Sequence, residues 1–408
     1  MGRQVDFDVV VIGGGIVGLA CAYKIAKNHP DIDIAVVEKE DKLAAHQTGH
    51  NSGVIHSGLY YQPGSNKVKT CVEGRKELVA FAKKYKLPYK ICGKIIVAAR
   101  KKELKNLELI FRNGLENAIE GIEKISPEQI EEIEPFCRGI AGIKVPCTGV
   151  IDFASVAEKL AELIQELSGS NKILLSNKVL RLEKHDFLTT VVTDKMSLKS
   201  RFIINCAGLQ SDRIAKLDEV ESKIKIVPFR GDYYELTDEA AEKVNNLIYP
   251  VPDANIPFLG VHLTRGIDGR VECGPNAMFS FSREGYCNRR FSFNDTRQSL
   301  TFSGTWKLFL RNFGCGVCEC ASTLSKELFL WRLQRIIPSL RGSDIKPGKT
   351  GIRAQAVDSA GRLIDDFEIQ KNGNCIHILN APSPAATASL AIAEYINQTA
   401  TEYFELKV

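Results

Sequence analysis

Asp8-Val9-Val10-Val11-Ile12 is an unbroken apolar run rich in β-branched residues, the pattern of a strand buried on both faces of a parallel sheet. It ends at Gly13-Gly14-Gly15-Ile16-Val17-Gly18. Leu19 to Ala26 continues as a helix with small residues on one side, and a second apolar run, Ile34-Ala35-Val36-Val37, stops at Glu38. Lys172 to Leu175, Val179 to Leu182, Phe202 to Asn205 and Ile376 to Asn380 read as further strands. The third of these closes in Cys206-Ala207-Gly208, small residues suited to a strand end that faces a ligand. A loop and an alanine-rich helix, Ala385 to Tyr395, follow the last. Phe258 to Leu263 reads as a strand carrying His262. Phe302, Trp306, Phe309, Leu310 and Phe313 recur at helical spacing, with Lys307 and Arg311 between them. That stripe fits a core-facing helix or one lying on a membrane surface.

Composition narrows the class. The 408 residues exceed one compact core and predict two lobes. With 44% hydrophobic and 25% charged residues the chain is ordinary for a globular protein. A net charge of +5 gives no case for nucleic acid, and no apolar stretch is long enough to span a membrane. The N-terminus runs almost directly into a strand, leaving no room for a signal or transit peptide in this chain. Twelve scattered cysteines read as reduced intracellular thiols. Cys315, Cys318 and Cys320 cluster but have no second pair at zinc spacing, so plain thiols are expected.

Strand, glycines, helix, strand and acid in this order form a dinucleotide fingerprint. Gly13 makes the tight turn, Gly15 lets the backbone approach a pyrophosphate, and Gly18 packs the helix on the strand. Glu38, twenty residues beyond Gly18, is placed to accept from ribose hydroxyls, and the lack of an arginine after it argues against NADP. The small, polar segment Ala44 to Gly53 suits a loop returning along a long buried cofactor, which favours FAD over NAD.

His50-Asn51-Ser52-Gly53-Val54-Ile55-His56-Ser57-Gly58-Leu59-Tyr60-Tyr61 has neither helical nor strand period. His56, flanked by small residues, is a candidate for the edge of a flat ring. Of Tyr60 and Tyr61, an extended segment would turn only one towards the same site. His46, His50 and His56 have no ligand spacing and no carboxylate nearby in sequence, so no metal is expected. Arg230, between Phe229 and Gly231, presents either a fork to a substrate carboxylate or an ion pair to Asp232.

The glycine motif and the loop from His50 are joined by Cys92-Gly93-Lys94, Asn205-Cys206-Ala207-Gly208, Val227-Pro228-Phe229-Arg230-Gly231-Asp232-Tyr233-Tyr234, Gly351-Ile352-Arg353-Ala354-Gln355-Ala356 and Asn380-Ala381-Pro382-Ser383-Pro384-Ala385-Ala386-Thr387. Together they resemble the L-2-hydroxyglutarate dehydrogenase family of D-amino-acid-oxidase-like flavoenzymes over nearly the whole chain. The resemblance implies an α/β fold: a discontinuous Rossmann-like FAD-binding domain (1–85, 151–227 and 346–408) with an inserted mixed α+β substrate domain (86–150 and 228–345). It implies oxidation of L-2-hydroxyglutarate to 2-oxoglutarate by hydride transfer to flavin N5. Electrons then pass to an acceptor other than NAD, a quinone or an electron-transfer protein. FAD would meet Gly13, Gly15, Ile16, Val17, Gly18, Glu38 and Lys39 at one end. Thr48, Asn51, Ser52, Gly53, Val179, Ala207, Gly208, Arg353, Ser383, Pro384, Ala385, Ala386 and Thr387 would continue the site. Substrate would meet Tyr60, Tyr61, Arg230, His262, Arg353 and Ser383, with His56 or His262 as base and Arg230 and Arg353 on the two carboxylates. A mitochondrial, inner-membrane-associated protein is implied by the animal members. Two other classes stay open, a flavin amine oxidase and a non-catalytic flavoprotein.

Overall fold

The computed structural model describes residues 5–252, 260–286, 290–312, 325–381 and 383–406. Phe7–Ile12 is the central strand of an eight-stranded sheet. Its neighbours Ile34–Val37 and Ser197–Asn205 run parallel to it, with Lys172–Leu174 and Cys375–Asn380 parallel beyond them. The register pairs Ile12 with both Val37 and Asn205, so the C-terminal ends of these strands meet along one edge. An antiparallel pair, Val179–Lys184 and Thr189–Thr193, extends the sheet from the first half of Ser197–Asn205. Helices Ile16–Asn28, Asn66–Lys84, Phe153–Leu167 and Ser389–Tyr403 contribute to a single buried core on one face. Val10, Ile12, Ala35 and Val37 point to the other face and a second core, as period-2 alternation requires.

A nine-stranded, largely antiparallel sheet forms the other layer. Its long spine is the pairing of Ile224–Leu236 with Ile345–Asp358, which puts Phe229 opposite Arg353 and Gly231 opposite Gly351. Lys94–Ala98, Leu247–Pro250, His262–Arg265 and Val271–Gly274 continue it. Ile345–Asp358 thus joins this sheet, although the sequence grouped 346–408 with the nucleotide lobe. Likewise Ile224–Leu236 begins four residues before the expected boundary at 228. Each is an unbroken strand whose partner is far away in sequence, so no turn or composition change marks the crossing.

The strands at 34–37 and 376–380 stand where the sequence put them, and His262 opens its strand, Phe258 and Leu259 lying outside the described residues. The last helix begins at Ser389 rather than Ala385, because Ser383 to Ala388 are spent in turns. The aromatic stripe divides. Phe302 and Phe309 pack against Val227, Phe229 and Val357, whereas Trp306 is 52% and Leu310 74% exposed. Phe313 and the three clustered cysteines lie outside the described residues.

Candidate active site

Between the two sheets lies a cavity of about 1400 Å³, beyond the roughly 300–1,000 Å³ of most small-molecule pockets. One end is the glycine loop. Gly13 has φ +117, and a Cβ there would fall 2.5 Å from the Cys206 carbonyl oxygen. A Cβ on Gly18 would fall 2.1 Å from the Gly13 carbonyl oxygen. Gly15 differs: it lines the cavity, and the nearest atom to an added Cβ is Thr48 Oγ1 at 3.4 Å. The helix from Ile16 gives its first N–H to Thr48 Oγ1 (3.0 Å) and has no acid in its first turn, so the rest of its positive end is left for a bound anion. Glu38 accepts from Gly14 N (2.7 Å) and Glu40 N (2.9 Å) and still lines the cavity with acceptor capacity to spare.

Ile16, Val17, Lys39, Thr48, Asn51, Ser52, Val179, Ala207 and Gly208 line the same space, as do Ser383 to Thr387 at its far end. Gly18 and Gly53 do not. Gly18 is the contact between helix and loop, and Gly53 turns the chain at φ +67 with its N–H donated to Asn51 Oδ1. Thr387 Oγ1 accepts from His56 N (3.1 Å) and donates to the Val54 carbonyl (3.2 Å), tying the start of the last helix to the loop.

The far end also gathers His56, Tyr60, Tyr61, His262 and Arg353. Both tyrosines face the cavity. Gly58, at φ +90, opens a turn in which Tyr61 N donates to the Gly58 carbonyl, so the alternation of an extended segment does not apply. His262 stacks on Tyr249 at 4.1 Å, and its Nδ1 lies 3.0 Å from the Gly260 carbonyl. A carbonyl only accepts, so Nδ1 carries the proton and Nε2 of the neutral ring is left as a lone-pair acceptor. Burial is the main force lowering both histidines, His262 to about 4 and His56 to about 3. The charges of Lys94 on both rings and of Arg353 on His262 push the same way.

Arg230 is not in the cavity wall. Its Nε and Nη2 donate to Asp232 Oδ1 at 2.7 and 2.6 Å, and Asp232 also accepts from Thr350 Oγ1. Strand alternation explains the miss: Gly231 and Tyr233 face the cavity, so Arg230 and Asp232 face the other way. The expected distal-carboxylate anchor is therefore a structural ion pair. His46, expected without acidic neighbours, sits with Glu40 and Glu284 in a cluster that also holds the Lys39 ammonium. Tyr233 and Tyr249, not expected at the site from the sequence, also line the cavity, and Lys94 packs against the rings of Tyr60 and Tyr249. A signal for Lys94 existed, since it leads an otherwise apolar run, Ile95 to Ala98, that is buried throughout.

A dinucleotide cradle opening into a site with two neutral histidines and an arginine fits an FAD-dependent oxidoreductase. Residues 8–399 match the family model for FAD dependent oxidoreductases of the DAO type. The fold agrees: L-alpha-glycerophosphate oxidase from Mycoplasma pneumoniae superposes with TM-score 0.76 at 23% identity, covering 97% of this chain and 94% of that one. Glycine oxidase from Geobacillus kaustophilus superposes with TM-score 0.72 at 14% identity, covering 98% and 95%. The L-2-hydroxyglutarate dehydrogenase of Indibacter alkaliphilus is 46% identical over 98% of this chain and 100% of its own length. The human mitochondrial L-2-hydroxyglutarate dehydrogenase is 42% identical over 98% and 90%. The chain belongs to the L-2-hydroxyglutarate dehydrogenase family. The animal relatives are named mitochondrial and the bacterial ones are not, so family membership does not fix a compartment.

Proposed function

We propose that this chain oxidises L-2-hydroxyglutarate to 2-oxoglutarate in the cavity between the two sheets. The observation that carries the reading is one continuous space joining the glycine cradle to His56, His262 and Arg353. Gly15 and Val17 would hold the pyrophosphate by backbone N–H groups, the Ile16 N–H being given to Thr48 Oγ1, with Glu38 on the ribose and the Ser383 to Thr387 turn at the far end of FAD. FAD supplies a two-electron acceptor there. The protein's own work is to fix the substrate and take its hydroxyl proton. Arg353 would bind the carboxylate beside the reacting carbon as a planar fork. His262 Nε2 would receive the hydroxyl proton, because its Nδ1 is committed to Gly260. Bound carboxylates would also raise its proton affinity by opposing Lys94 and Arg353. His56 would stand beside it as a second neutral polar group. In this division the nine-stranded sheet is the substrate side. Anaerobic mixing with L-2-hydroxyglutarate and, separately, N-methylglycine tests the class: bleaching by the first alone supports the reading, and bleaching by the second alone makes the chain an amine oxidase.

Electrons would leave to an acceptor other than NAD, of the quinone or electron-transfer-protein class, at a surface near a membrane. The feature behind that placement is a run of rings from Phe291 through Phe281, Phe279 and Phe309 to Trp306, successive centroids 5.2–6.2 Å apart. Phe291 (62%) and Phe293 (73%) are as exposed as Trp306 and Leu310, with Arg290 and Lys307 beside them in sequence. Aromatic and basic side chains together suit an interfacial surface. No helix among the described residues is long and apolar enough to cross a membrane.

A further inference from the structure

Lys94 begins the strand Lys94–Ala98 and is only 2% exposed. Its ammonium lies 4.6 Å from the Tyr60 ring centre and 4.9 Å from that of Tyr249, and both tyrosines line the cavity. Among the described residues no carboxylate or other acceptor holds it. The other fully buried cations are paired, Arg283 with Asp212 and Arg75 with Glu120, as are the half-buried Arg230 with Asp232 and Lys39 with Glu284. The half-buried Lys67, which lines the cavity over the Tyr61 ring, is likewise without a carboxylate at ion-pair distance among the described residues. The Tyr60 hydroxyl is likewise buried with no partner. Two ring faces soften the loss of water around an ammonium but leave its charge uncompensated. Lys94 is not itself in the cavity wall, but both rings that hold it are, so a counter-charge entering the cavity would be separated from the ammonium by no more than those rings.

We propose that Lys94 is the specificity-determining cation of this site, the charge that makes the cavity prefer a substrate with a second carboxylate over its monocarboxylate counterpart. The proposal rests on the reading of a 2-hydroxy dicarboxylate substrate, and it fills the role that Arg230, turned onto Asp232, does not. Tyr60 would add its hydroxyl to the same carboxylate. Opposite charges about 7 Å apart in a buried site are worth far more than at a surface, and the selection follows from that.

Burial also pushes the Lys94 ammonium down, to about 8, so its charge is lost within a measurable range. The groups around it come from several elements. Cys71 on Asn66–Lys84 and Cys147 are thiols raised by burial, Cys71 to about 12. Tyr60, Tyr61 and Tyr249 are phenols raised by burial, and His56 and His262 are lowered. Arg75 faces the two thiols, and Arg353 faces His262. Lys67, over the Tyr61 ring, is also lowered by burial. The thiols, phenols and histidines keep their charge between pH 7 and 9, and the Lys94→Met arm separates the contribution of Lys94 from that of Lys67.

The test uses the FAD-loaded enzyme and two unreactive probes, glutarate and pentanoate, with binding read from perturbation of the flavin spectrum. In the wild type, glutarate affinity should fall as pH rises through about 8, and pentanoate affinity should fall much less. Lys94→Met should weaken glutarate on the order of 50-fold at pH 7, the effect of a unit charge about 7 Å away at an effective dielectric near 20. It should weaken pentanoate less than about 5-fold and abolish the alkaline loss. Equal losses for both probes in Lys94→Met, or parallel pH dependences of the two in the wild type, would overturn the proposal. The wild-type arm stands even if the variant is unstable. Flavin reduction by L-2-hydroxyglutarate in the same wild-type preparation reports separately on the substrate reading.

Discussion

Two glycines three positions apart, Gly15 and Gly18, make opposite demands on the structure, and alanine at each should separate binding from folding. At Gly18 a Cβ would sit 2.1 Å from the Gly13 carbonyl oxygen and 3.3 Å from Cys206 Cβ, so helix and loop must part by about an ångström. The loop has nowhere to go, because a Cβ-sized gap beside Gly13 is itself closed by the Cys206 carbonyl. Overpacking of this kind costs about 1–3 kcal/mol, so deflavinated Gly18→Ala should melt a few degrees below deflavinated wild type and bind FAD poorly. At Gly15 the backbone is at φ −80, ψ 170, which any residue adopts, and the nearest contact at 3.4 Å is ordinary. Gly15→Ala should therefore melt within a degree or two of wild type when deflavinated. Its methyl group would nonetheless stand where the pyrophosphate must approach the helix N-terminus. Losing one charge-assisted N–H bond, about 1.5–3 kcal/mol, lowers FAD affinity roughly 10- to 150-fold. The assays are thermal unfolding of the deflavinated proteins and titration with FAD by fluorescence quenching. Wild-type FAD affinity in Gly15→Ala would refute the cradle, and an unchanged melting temperature in Gly18→Ala would refute the packing argument.

His262→Asn should slow flavin reduction by about 10²- to 10⁴-fold while glutarate still binds, and a smaller effect than that of His56→Asn would reassign the base. His262 also carries a stability signature: it is held neutral in the folded protein down to about 4, whereas the unfolded chain takes the proton near 6.5. Stability contributed by the neutral ring is full above about pH 6.5 and falls by up to about 3 kcal/mol as pH drops towards 4, so denaturant midpoints should decline less over that range in His262→Gln. Arg230→Met should destabilise the enzyme by stranding the half-buried Asp232, yet leave the preference for glutarate over pentanoate unchanged; a selective loss of glutarate binding would restore Arg230 to the site. Sedimentation with anionic vesicles at low salt should be lost when Trp306 and Leu310 become serine, and binding that survives both changes would place the surface contact elsewhere.

The nucleotide end of the site was legible because its determinants are local. Strand, glycines, helix and acid lie within thirty-two residues, from Phe7 to Glu38, and each glycine has a steric reason visible in the fold. The substrate end was only partly so. Arg230 looked like an anchor because rigid neighbours flank it, but which face of a strand a residue takes depends on a partner strand over a hundred residues away. Tyr60 and Tyr61 share the cavity because Gly58 bends the chain there, a left-handed φ that the sequence permits without requiring. Lys94 reads as the polar lead-in to a strand. Its isolation emerges only when Tyr60, from a loop, and Tyr249, from a neighbouring strand, close over it.

The central claim is that one cavity couples the FAD cradle to oxidation of a 2-hydroxy dicarboxylate of L configuration. Anaerobic titration of the purified yellow protein with L-2-hydroxyglutarate, following flavin absorbance and free 2-oxoglutarate together, tests it most directly. Complete bleaching with one 2-oxoglutarate formed per FAD reduced, and no bleaching by the D isomer, is the expected result. A flavin that stays oxidised, or that bleaches without 2-oxoglutarate appearing, would contradict it.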